Sequence, residues 1–261
     1  MAHGSVHGPP PQTPLSTSPP RVPNYHNPQG ISTGGSQLPR SQEATTSPDP
    51  NTFWGDLVIP AQWPNGHREQ WQASPSLELL VNAIYHWADT TIEPRNEGGL
   101  APEKVGKLLC MGEYSHEHNI YALCDQEASS FSFGSRSMRE YLLNQLMAKV
   151  YDLYGLPYET STTAQQSSSR LDQLVRSLTG PTARPLLTRE GHLRFLLIGI
   201  LIEPHTNFIN INRFLSKVPP LLNPRTGDTL PCSIPRHVFP ATADPRMTQC
   251  NNIALYWQGR T

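Results

Sequence analysis

The chain is poor in charge: Asp, Glu, Lys and Arg make up only 16% of its 261 residues, and 20 basic side chains face 21 acidic ones. A net charge of -1 leaves no basic surface to hold a nucleic acid or an anionic membrane, so neither is expected as a partner. Long apolar runs are missing as well. The longest, Phe195 to Ile202, is interrupted by Gly199 and is far shorter than the ~20 residues that cross a bilayer. The first residues show no apolar segment of the secretory-signal type. Cys110, Cys124, Cys232 and Cys250 have no disulfide-framework spacing, which fits reduced thiols. These absences predict an intracellular protein, cytoplasmic or nuclear.

Signatures of chemistry are scarce too. There is no Gly-x-Ser-x-Gly elbow and no glycine loop placed after a strand to cradle phosphate. Asp89-Thr90-Thr91 falls at the end of a helical pattern and reads as helix C-terminal residues, not as an acid pair. No catalytic residue and no cofactor is therefore expected. Cys110 near His116 is a pair on which a thiol hydrolase could be built, though such pairs arise by chance in chains of this length. Cys110, His116, His118 and Cys124 are residue types that zinc takes. Their spacing is wrong for a structural site, with one residue between the histidines and five between each cysteine and the nearer histidine. No metal is expected, and a zinc-binding regulatory protein using those four residues is the alternative.

What the chain does have is organisation. Eleven of its 27 prolines lie in the first fifty residues, among Ser, Thr, Gly and Gln, and such a segment buries too little to offset its ordering entropy. Residues 1–50 thus read as a disordered arm, residues 51–245 as one helical domain, and residues 246–261 as a tail of unknown order. Phe53 and Trp54 should anchor the domain edge. Ser74-Pro75 is an N-cap with proline at the first helical position, and Leu77, Leu80, Val81, Ile84, Trp87 and Ala88 follow with helical period until Pro94 forces a stop near Ile92. A second helix opens at Pro102, with Val105, Leu108 and Leu109 buried. From Met111 to Phe133 the pattern dissolves. Ser137-Met138-Arg139-Glu140 reads as the capping box of a third helix closed by Gly155 and Pro157. A fourth, capped by Thr188, is apolar nearly all round and should be central, and a fifth should start at about Asn207 with Phe208, Ile211, Leu215 and Val218 on one side. Asn223 to Asp228 is a turn, after which a proline-spaced stretch, Pro231 to Pro245, should run extended with Cys232, Ile234, Val238 and Phe239 as anchors.

One helix opening is written twice: Leu100-Ala101-Pro102-Glu103-Lys104 before Leu108 and Leu109, and Leu187-Thr188-Arg189-Glu190-Gly191 before Phe195 and Leu196. The fold class predicted is mainly α, with two helix–loop–helix units in a degenerate EF-hand-like arrangement and a proline-rich extended C-terminal tail. The loop Glu93 to Lys104 has a calcium loop's outline, with Gly98 sixth and Leu100 eighth. It also puts Arg95 third and Lys104 twelfth, where oxygen ligands are needed, and those cations exclude the ion. The second unit carries a polar, flexible insertion at about 156–184. Within it Leu171, Leu174, Val175 and Leu178 keep the spacing with which amphipathic helices enter partner grooves, and they are the candidate partner-binding residues.

Phe53-Trp54-Gly55, Ile92-Glu93-Pro94, Pro102-Glu103-Lys104, Leu187 to Gly191, Thr226-Gly227, Ile234-Pro235-Arg236 and Phe239-Pro240 together resemble a domain of unknown function from filamentous ascomycete fungi, over about Phe53 to Pro245. The chain departs from that pattern with Ala101 in place of a capping Thr, His192 in place of an aromatic, and a longer insertion after Tyr158. The resemblance implies a helical domain behind a disordered arm and brings no activity. A non-enzymatic protein-interaction module with an unknown protein partner is the function expected.

Overall fold

A computed structural model of the chain describes residues 48–61, 70–162, 177 and 183–249, which lie within one compact unit, Thr45–Thr261. Among the described residues the fold is mainly helical, with two small antiparallel sheets that periodicity did not predict. Asp49 caps a single-turn helix α1 (Pro50–Phe53), and the Trp54 indole N–H then donates to the Ser233 carbonyl at 2.9 Å, so the predicted aromatic anchor is tied to the far end of the chain. Strands β1 (Val58–Ala61) and β2 (Gln70–Ala73) pair next, with Val58 opposite Ala73.

Helix α2 (Pro75–Thr91) starts where its sequence demands: the Ser74 hydroxyl accepts from the Leu77 amide and Pro75 occupies the first turn. Leu77, Leu80, Val81, Ala83, Ile84 and Ala88 form its buried face, and Ile92 caps its end, two residues before Pro94. The Glu93-Pro94 peptide bond is cis. Helix α3 (Pro102–Met111) follows, with Ala101 at its N-cap making no side-chain bond.

The stretch where the pattern dissolved holds a 3-10 turn, His116–His118, and a helix α4 (Ile120–Phe131) capped by Asn119. Its face is narrow, only Cys124 and Ala128 being fully buried, so composition hid it. Helix α5 (Arg136–Tyr154) is capped by Ser135, whose hydroxyl accepts from the Met138 amide, and not by the capping box read at Ser137. Gly155 closes it in the left-handed conformation, as its position after the helix requires.

The polar stretch after Gly155 begins and ends in a hairpin-like pair: β3 (Tyr158–Thr162) lies antiparallel to β4 (Ala183–Leu187), with Tyr158 opposite Leu187. Helix α6 (Arg189–Ile202) takes its cap from Thr188, and α7 (Pro204–Lys217) starts at Pro204, three residues before the predicted Asn207. Pro204 both ends one helix and opens the next. Of the residues expected as C-terminal anchors, Ile234, Val238 and Phe239 are buried with α2, α6 and α7, whereas Cys232 is exposed.

Two apolar clusters result. The first joins α2, α6, α7 and the C-terminal anchors, and the second joins the end of α2 with α3, α4, α5 and Leu187. Within the second cluster the two written-twice helix openings meet. The Leu100 amide donates to the Leu187 carbonyl at 3.0 Å and the Leu187 amide returns the bond at 2.9 Å, an antiparallel bridge directly ahead of α3 and α6.

Candidate functional site

The four residues considered for zinc are not brought together. Cys110 is exposed on α3, His116 and His118 are exposed in the 3-10 turn, and Cys124 is buried on α4. Burial, then the neighbouring Asp125 and Glu127, push the Cys124 thiol up to about 11, so it is protonated at neutral pH. The Cys110 sulfur accepts from the Asn119 side-chain amide at 3.8 Å. Among the described residues, no group of three or more His, Cys, Asp and Glu is placed to hold a metal ion. Leu171, Leu174, Val175 and Leu178 lie outside the described residues.

A hydrogen-bonded chain that spacing did not suggest runs through His118. Its Nδ1 is 2.6 Å from the Ser115 hydroxyl and its Nε2 is 2.8 Å from Glu203 Oε1. Serine, histidine and carboxylate are the components of acyl-transfer catalysis, but the surroundings do not equip them for it. All three are solvent-accessible, and the Ser115 hydroxyl also lies 3.4 Å from Glu117, whose charge opposes an oxyanion forming there. The contact fastens the 3-10 turn to the α6–α7 junction.

Beside the Leu100–Leu187 bridge lies an ionic network whose two cations, Lys104 and Arg184, are buried and whose carboxylates are partly exposed. Asp89, in the last turn of α2, accepts the amides of Glu97 and Gly98, both at 3.1 Å, and so shapes the loop. Its Oδ1 also accepts from the Lys104 ammonium at 2.6 Å. Lys104, in the first turn of α3, is 0% exposed; its ammonium lies 3.5 Å from the Gly99 carbonyl and 3.6 Å from Glu97 Oε2. Arg184 on β4 joins Glu97 at 2.6 Å and Glu103 at 2.7 Å. Burial alone would lower the Arg184 pKa, and the two carboxylates more than offset it. The Tyr85 phenol donates to the Gly98 carbonyl at 2.8 Å, and burial, with Asp89 adding, pushes it up to about 12. Arg95, by contrast, pairs on the surface with Glu93. Lys104 was legible as a conflict with calcium. Its place in a network was not, because Asp89 reads as an ordinary helix end and Arg184, which shares Glu97 with it, is 80 positions away.

The second opening buries different chemistry. His192 in α6 is 4% exposed, lines a cavity of about 40 Å3 with Ile84, Leu109, Tyr114, Phe195 and Phe214, and its Nδ1 makes no hydrogen bond. Burial pushes the imidazole down to about 4, so it is neutral at physiological pH. A cavity of that size has room for water but is well short of a ring-sized ligand.

The surface feature that stands out is the turn between α4 and α5. Phe131 is 57% exposed and Phe133 is 92% exposed. Phe133 has φ of 48° and Gly134 of 80°, so two successive left-handed residues make the turn. No helix among the described residues is long and apolar enough to cross a membrane.

No curated protein and no solved structure matches the chain. The family model for a domain of unknown function (DUF7514) matches residues 66–254, well over half of the sequence and including α2 to α7, the bridge and the ionic network, and the chain belongs to that family.

Proposed function

We propose that the chain is a non-enzymatic protein-interaction module that works inside the cell, in the cytoplasm or nucleus. Its scaffold is read as two helix–loop–helix units in a degenerate EF-hand-like arrangement with a proline-rich C-terminal stretch, and its family as one of filamentous fungi. The observation that carries the interaction reading is the α4–α5 turn. A phenylalanine that is 92% exposed, in a backbone conformation bulky residues seldom adopt, loses hydrophobic stabilisation and adds backbone strain, with no gain to this chain's own packing. Exposed aromatic side chains are the anchors that protein partners bury in apolar pockets. The near-neutral chain favours such a partner over a polyanion.

The test places a photo-crosslinking phenylalanine at Phe133 in cells, with a control at the exposed Arg225. A discrete adduct at Phe133, absent at Arg225 and lost when Phe131 is changed to Ser, supports the reading. Adducts equal at both positions, or at neither, sink it. The alternatives have their own readouts. Purified protein without stoichiometric zinc would end the zinc-regulator reading, and silence of Cys110 toward a thiol-directed activity probe would rule out the hydrolase.

A further inference from the structure

We propose that the Lys104 ammonium is a tethered cation standing where a divalent ion would sit, so that the α2–α3 loop is closed from within and needs no metal. The loop keeps a cation-binding outline: Gly98 in its sixth place has φ of 72°, and Leu100 in its eighth pairs with the equivalent residue of the second opening. The oxygens of this region turn inward on one point. Asp89 Oδ1, the Gly99 carbonyl and Glu97 Oε2 face the Lys104 nitrogen at 2.6, 3.5 and 3.6 Å. Arg184 holds the Glu97 carboxylate through Oε1 at 2.6 Å, and Oε2, which makes no hydrogen bond, is left facing the ammonium. Lys104 occupies the twelfth place of the loop, where a calcium loop carries a glutamate that closes on the ion. Here the closing residue brings its own charge, and α3 is pulled onto the loop by a bond that chelators cannot break.

Two consequences can be measured. The wild-type protein should melt at the same temperature in calcium and in chelator, and should bind terbium no more tightly than its exposed carboxylates do. Lys104→Glu should convert the site: it removes the internal cation and places a third carboxylate where the ammonium was. In chelator that variant is strongly destabilised. Calcium should restore its melting temperature toward wild type, because an ion bound only by the folded state stabilises it by mass action. Terbium luminescence excited through tyrosine gives a direct reading, since Tyr85 donates to the Gly98 carbonyl of the same loop. Affinity at least roughly tenfold above wild type is the expected gain. Lys104→Ala, which leaves Asp89, Glu97 and the carbonyl in place, should show a smaller gain, and Asp89→Asn added to Lys104→Glu should abolish it. Terbium binding by Lys104→Glu no stronger than by wild type would overturn the proposal, as would a wild-type melting temperature that moves with calcium. Lys104 variants that stay unfolded in millimolar calcium would overturn it equally, because the ion would then be unable to do what the ammonium does.

Discussion

At the opening of α3, Ala101 leaves the helix uncapped and Lys104 reaches back into the preceding loop; at the opening of α6, Thr188 caps the helix and Gly191 has no side chain to reach with. The two stretches correspond position for position, from Leu100 and Leu187 at the bridge to Leu109 and Leu196 inside the helices. The first is closed by charge, through Asp89, Glu97 and Arg184. The second is closed by backbone proximity: the Thr188 hydroxyl donates to the Pro157 carbonyl at 2.9 Å, and α6 comes so near that chain that a methyl group on Gly191 would collide with the same oxygen. One helix start thus tolerates two solutions. What the pair shares is the bridge and the apolar positions after it, which do the packing.

That comparison is broken most severely at Lys104. Lys104→Ala leaves the half-buried Asp89 without its cation and Glu97 with Arg184 alone, and should cost about 3 kcal/mol, the low end for breaking a buried pair, in denaturant titrations at neutral pH. A loss below 1 kcal/mol would mean that water or Arg184 takes over the charge. Gly191→Ala should cost about 3 kcal/mol, the upper end for overpacking, because the new Cβ would meet the Pro157 carbonyl and lie 2.6 Å from Leu187 Cδ1. Backbone must move to relieve the first of these. The equivalent small-to-large change has no meaning at Lys104, which sharpens the contrast between a side-chain lock and a backbone lock.

His192 gives the second opening a dependence on pH that Val105, its counterpart, cannot give the first. Its imidazole titrates near the ordinary value of 6.5 in the unfolded chain and at about 4 in the folded one. Between those values the unfolded state binds a proton that the folded state refuses, so stability rises with pH. The contribution is complete above 6.5, falls as the solution is acidified, and levels out below about 4, a span of roughly 3 kcal/mol. Urea midpoints from pH 4 to 7 measure it, and His192→Phe should flatten that part of the profile. A profile identical in the two proteins would show that the ring is hydrated in the cavity. The smallest effect is expected at the cap. Thr188→Ala should cost about 1 kcal/mol by thermal melts, freeing the Gly191 amide.

Periodicity and capping chemistry reveal most of the helical frame. Ser74-Pro75, Thr188 and Gly155 terminate helices where their local chemistry says, since a cap involves only neighbours within a turn. Helix α4 escaped because its apolar residues gather in the first turns, Ile120 to Cys124, without a sustained helical period, and only two of its residues are fully buried. The strands β3 and β4 escaped because each is five residues long and gains its pairing from a segment more than twenty positions away. For the candidate sites the divide is sharper. Cys110, His116, His118 and Cys124 share residue types without sharing a place, whereas Ser115, His118 and Glu203 share a place without any sequence spacing to announce it.

The sequence by itself determined the frame: a near-neutral chain, a proline-rich start, helices set by apolar period and capping residues, and a helix opening repeated before two apolar stripes. These follow from local steric and solvation rules, which act within a few residues. Only the tertiary structure decided that the two openings join at Leu100 and Leu187, that Lys104 ends buried in a network with Asp89, Glu97 and Arg184, and that Phe133 is left in solvent. Charges and exposed aromatics take their meaning from what lies across from them, and that neighbour is chosen by the packing of helices far apart in the chain.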